Sequence, residues 1–157
     1  MMRSPSVARK LRTLAGVGWR RQVLVAEAAA TMFAARLEVA IRPFHRVSPR
    51  FGTFVRPDDP RIAARDAATP AQMRLARDIG WAIRAAAPFM PFRSVCLQQA
   101  MAGHAMLRRR GVQSVMHLGA GKGAHRALDA HAWLEAGGVK VTGYPVAATF
   151  TELGCFV

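Results

Sequence analysis

At Gly111 the chain changes character, and that change limits the folds open to it. Before this glycine, apolar residues recur at helical spacing; after it, short apolar and alternating runs are separated by glycines. Helices first and a small antiparallel sheet after them is an α+β arrangement. At 157 residues with 52% hydrophobic content, residues 1–157 suit a single domain large enough to bury a real core.

The helical half is punctuated clearly. A long first helix is predicted over Trp19 to Ile41 and ends before Pro43; its polar positions Arg20, Glu27, Thr31, Glu38 and Arg42 recur at spacings of seven and four and share one face. The same spacing argues against a membrane span or export signal here, because Glu27, Arg36 and Glu38 interrupt the apolar run. His45 to Pro60 has loop composition. A second helix starts at Thr69 with Pro70 in its first turn and Gln72 completing a capping box, presents Leu75, Ile79, Ala82, Ile83 and Ala86 on one side, and stops at Pro88. Ser94 is the expected N-cap of a third helix that ends at Arg108-Arg109-Arg110 before Gly111, with Cys96 its second residue.

In the sheet half, Val112 to Leu118 reads as a strand and Gly119 to Gly123 as a flexible loop. Ala130 to Ala136 alternates around Trp133, and Gly137-Gly138 closes a hairpin into Val139 to Thr142. Phe150 to Val157 is available as an edge strand.

Charge is lopsided: 23 Lys and Arg against 9 Asp and Glu give +14 at pH 7. Such a field suits acidic partners, whether peptide, membrane surface or nucleic acid. The Arg runs lack the interleaved aromatics of a single-strand binder, so a solvated basic face is expected in place of a nucleic-acid site. Residues 1–18 carry basic residues without an acid and read as a basic arm. Cys96 and Cys155 show neither disulfide-scaffold nor zinc-knuckle spacing, which favours a reducing, cytoplasmic setting.

The chemistry is carried by Cys96 and His131. A thiol attacks as thiolate, and a helix N-terminus favours that form through unpaired backbone N–H groups and aligned peptide dipoles. The same N–H groups suit the oxyanion of a tetrahedral intermediate. His131, on a strand between two alanines, has the room to act as base and then as acid toward the leaving amine. Asp129 lies two positions earlier, on the same strand face, and is the acid expected to orient the imidazole; Thr142, Tyr144 or a backbone carbonyl are the other groups within reach. Gly119 to Gly123 lacks the spacing of a phosphate loop. His104, His117, His125 and Cys155 show no recognised ligand spacing, so neither metal nor cofactor is expected.

Four fragments in order also carry a resemblance: Arg93 to Ala100 around Cys96, Leu107 to Val112, Leu118-Gly119, and Ala130-His131-Ala132-Trp133-Leu134-Glu135. Together they resemble the leader peptidases of lasso-peptide biosynthesis, in the transglutaminase-like cysteine-protease superfamily. The resemblance implies a transglutaminase/papain-like core, with a Cys-bearing helix packed on a small antiparallel sheet behind the N-terminal helices. It implies that Cys96 is the nucleophile and His131 its base. It further implies a precursor peptide as substrate, a separate leader-recognition protein acting in trans, and an ATP-dependent lasso cyclase downstream. Relatives place an acid about a dozen residues after the histidine, where this chain has Thr142-Gly143; Asp129 is its expected substitute. An acyltransferase of the same superfamily and a non-catalytic basic scaffold or nucleic-acid-binding protein are the competing readings.

Overall fold

The structure, a computed structural model, describes residues 16–65, 67–93, 95–122 and 128–157. Most of the basic arm, the expected cap Ser94, and His125 therefore lie outside the described residues.

Among the described residues, five helices and five strands are found: the three expected helices precede four strands of the sheet, and two further short helices and one short strand lie between the first and second of those helices. Helix α1 (Trp19–Ile41) is followed by the short α2 (Phe44–Val47), a 3-10 turn (Ser48–Phe51) and a two-residue strand β1 (Phe54–Val55). Then come α3 (Pro60–Ala64), α4 (Pro70–Ala86) and α5 (Cys96–Arg108). The remaining strands are β2 (Val115–Gly121), β3 (Asp129–Ala136), β4 (Val139–Thr142) and β5 (Phe150–Phe156), giving one antiparallel sheet in the order β1-β5-β2-β3-β4. Among the described residues no helix is long and apolar enough to cross a membrane.

Local chemistry explains the helix boundaries. Thr69 Oγ1 accepts from the Gln72 N–H at 3.2 Å while Gln72 Oε1 accepts from the Thr69 N–H at 2.9 Å, the reciprocal cap anticipated for α4. On α5, Gln98 reaches back to accept the Val95 N–H at 3.1 Å, so the helix opens one residue later than expected and Cys96 is its first residue.

The core lies between α1, α4, α5 and one face of the sheet, where Met32, Ile79, Ile83, Met106, Leu107, Met116 and Leu134 are fully buried. Each such side chain contributes roughly 1.5–3 kcal/mol through burial. Helix α5 seats closely on the sheet at Gly103, where an added Cβ would lie 2.6 Å from Leu134 Cδ2. Helix α1 buries Ala28, Met32 and Ala35 and packs Leu24, Val25 and Val39, partly buried, against the same core. Its polar side does not face water alone: Glu27 and Thr31 receive the guanidinium of Arg109, and Glu27 also that of Arg110.

Three sequence readings are corrected. Gly119 and Gly121 belong to β2, because β2 runs beneath the Trp133 ring and the Thr149 backbone, where a Cβ would approach within 2.9 and 2.4 Å respectively. Strand β5 is an inner strand, since Phe54-Val55, within a segment of loop composition, pairs onto it and takes the edge. The stretch His45 to Pro60 accordingly holds β1, a 3-10 turn and most of α2. The Gly137-Gly138 hairpin forms as expected, with φ of 56° and 72°.

Candidate active site

Helix α5 presents Cys96 half-buried at its N-terminal end, where backbone N–H groups have no intrahelical partner. His131 lies near the start of β3, opposite Gly119 of β2. Strand alternation sends Ala132, Leu134 and Ala136 toward the helices and His131, Trp133 and Glu135 to the other face. The His131 ring sits beside those of Trp133 and Phe150, at centroid distances of 5.9 and 5.1 Å.

Cys96 and His131 line one cavity of about 290 Å³ at the β4 margin of the sheet, together with Arg84, Gln99, Lys140 and Tyr144. The cavity joins them; no hydrogen bond links the sulfur to the imidazole. A larger cavity of about 420 Å³ lies between α1 and α5, lined by Glu38, Arg50, His104 and Arg108, and contains neither Cys96 nor His131. Size therefore does not mark the site here; the grouping of reactive side chains does.

His131 is oriented by the backbone. Its Nε2 lies 2.7 Å from the Gly143 carbonyl oxygen. Because a carbonyl only accepts, Nε2 carries the proton in the neutral ring and Nδ1 is left with a free lone pair. Gly143 adopts φ of +82°, and a Cβ there would come within 2.4 Å of the Ala132 carbonyl oxygen, so the close pass of this peptide beneath β3 requires glycine. Asp129, expected in the orienting role, shares the face of His131 but opens β3 opposite Gly121, outside the cavity and without a hydrogen bond to the ring. Of the alternatives, Thr142 has its Oγ1 buried without a partner, and the Tyr144 hydroxyl donates to Glu135. The Tyr144 hydroxyl is pushed up from its ordinary pKa, by burial first and then by its bond to Glu135.

Gly143, Arg84 and Gln99 were missed as site residues. A backbone carbonyl has no side-chain signature, and the only available sign was a glycine 12 positions after His131. Arg84 arrives from α4, where its Nη1 donates to the Val141 carbonyl at 3.0 Å; nothing local distinguishes it from the other helix arginines.

A family model described as the transglutaminase-like superfamily matches residues 38–155, which include α5, the whole cavity and nearly all of the sheet. The chain belongs to the transglutaminase-like superfamily. This superfamily includes cysteine peptidases and commonly has cysteine protease or acyltransferase activity. The transglutaminase-like match takes in Cys96, His131 and Gly143. Searches of the curated proteins and of the solved structures returned no match.

Proposed function

We propose that this chain is a cysteine peptidase that removes the leader from a ribosomally made lasso-peptide precursor. The observation that carries the reading is the shared cavity: a thiol at a helix N-terminus and an imidazole whose Nε2 is already engaged. In this reading the Cys96 sulfur attacks the scissile carbonyl while Nδ1 of His131 takes the thiol proton. The oxyanion is received by backbone N–H groups at the start of α5. Nδ1–H then protonates the departing amine, leaving a thioester that water, deprotonated by the same nitrogen, hydrolyses.

The Gly143 carbonyl serves as the orienting third group, stabilising the imidazolium and holding the ring in one tautomer. Arg84 and Lys140 in the cavity wall suit a peptide segment that carries acidic groups. The precursor is delivered by a separate leader-recognition protein, and the released core passes to an ATP-dependent lasso cyclase; the reaction is cytoplasmic. These partners rest on the resemblance of the segments around Cys96 and His131.

Incubation of precursor peptide and leader-recognition protein with wild-type or Cys96→Ala protein tests the reading by mass spectrometry. Leader release by the wild type alone is expected. Release by both proteins refutes it, and an amide-exchange mass in place of a hydrolytic one reassigns the chain as an acyltransferase.

A further inference from the structure

The sheet face turned away from α1, α4 and α5, on which Ile62 of α3 packs beside Cys155, carries a second group of reactive side chains that the peptidase reading does not use. His117 on β2 stands opposite Cys155 on β5 in the antiparallel register, and Glu152 stands opposite Gly119. Two residues three apart on a regular strand point to opposite faces. Here the register shifts between Leu118 and Gly119, so that Leu153 is the extra residue of a bulge, and the shift returns Glu152 to the same face as Cys155 and His117. One ligand atom from each of His117, Glu152 and Cys155 lies within 4.8 Å of the others.

In the neutral ring the hydrogen bonding around His117 is incomplete. Nδ1 lies 2.6 Å from Glu152 Oε1, while Nε2 is buried, has no hydrogen-bond partner, and faces Glu135 Oε2 at 4.0 Å. If Nδ1 carries the proton toward Glu152, the neutral ring turns a lone pair toward the Glu135 carboxylate. A buried acceptor without a donor is costly. A cation between Nδ1, Glu152 and the Cys155 sulfur reverses this: the proton moves to Nε2 and points at Glu135, the carboxylate–histidine–metal arrangement that fixes a ligating imidazole. Glu135 is itself held by the Tyr144 hydroxyl.

We propose that His117, Glu152 and Cys155 form a binding site for one divalent transition-metal ion of the zinc type. Nitrogen, thiolate and carboxylate donors together suit zinc, whereas magnesium and calcium prefer oxygen alone. Binding expels the thiol proton to solvent as the sulfur–metal bond forms. Three protein ligands leave a fourth position, and Glu152 is the ligand closest to solvent, giving an entrance. The site is structural: it ties β5 to β2 and backs a stack in which the His117 ring centroid lies 5.3 Å from that of Trp133, the ring planes parallel within 3°, with the His131 ring next beyond the same tryptophan.

Cobalt(II) titration of the chelator-treated full-length protein tests this without any peptidase substrate. One equivalent is expected to give tetrahedral d–d absorption and a thiolate-to-cobalt charge-transfer band. The band should persist in Cys96→Ala and vanish in Cys155→Ser, and Glu152→Gln, an exposed-side change that preserves the fold, should weaken binding at least tenfold. Zinc should raise the melting temperature of the wild type and not of Cys155→Ser. Absence of the band in the wild type, its survival in Cys155→Ser, or its loss in Cys96→Ala overturns the proposal.

Discussion

The Gly143 carbonyl oxygen lies 2.7 Å from His131 Nε2, so the imidazole is held by the backbone of a neighbouring segment and not by a carboxylate. This single bond selects the tautomer that leaves Nδ1 able to take a proton.

Replacement of Asp129 follows from it. Asp129→Asn is expected to keep leader cleavage within about threefold of wild type, whereas His131→Ala, which removes the acid–base group, should lower the rate by about 10²–10⁴-fold. Single-turnover cleavage of the precursor measures both. A loss for Asp129→Asn as large as that for His131→Ala would return the orienting role to the carboxylate.

Thr142 offers a different test, because it belongs to the cavity wall and its buried hydroxyl has no partner. Thr142→Val exchanges an unsatisfied group for an apolar one of similar shape and should leave stability unchanged or raise it by about 1 kcal/mol. A urea melt reads this directly; a clear destabilisation would mean that the hydroxyl is satisfied.

Acid should destabilise the protein through His104. Burial first, then the charge of Arg108, lowers its pKa from 6.5 to about 4, and its Nδ1 pairs with Ser114 Oγ at 2.9 Å. The unfolded chain takes up this proton near pH 6.5 and the folded one only near pH 4, so the contribution is complete above the first value and is lost as pH falls to the second. The loss is roughly 3 kcal/mol across that window. Urea melts at pH 7 and pH 4.5 should show a smaller difference for His104→Gln than for the wild type.

Glu27 joins α1 to the C-terminal end of α5 through Arg109 at 2.8 Å and Arg110 at 2.5 Å. The Arg110 hydrogen bond is the main cause holding its carboxyl below the ordinary value of 4.5, so its contribution is present above that pH and is lost below it. Glu27→Gln should cost about 1 kcal/mol at pH 7, limited by partial exposure and screening. The difference from wild type should shrink in acid and in high salt, which denaturant melts under the three conditions would show.

Much of this fold was legible locally. Thr69, Pro70 and Gln72 announce the start of α4 within four residues, and Gly137-Gly138 announces the β3–β4 hairpin, because caps and tight turns are formed by residues adjacent in sequence. Cys96 could be placed at a helix start for the same reason. Gly119 and Gly121 misled, since glycine signals a loop as readily as a strand crossed by a tryptophan ring, and only packing distinguishes the two.

Sequence alone, then, determined where the three long helices and the β3–β4 hairpin lie, which half of the chain is which, and that a thiol and an imidazole were the groups to watch. Tertiary structure decided which carbonyl holds His131, that β5 lies inside the sheet, and that a bulge brings Glu152 beside Cys155. The division has a physical cause. Capping and periodicity act over a few residues and leave a pattern in the chain, whereas strand register and backbone hydrogen bonds between distant segments are set by packing and use groups every residue carries.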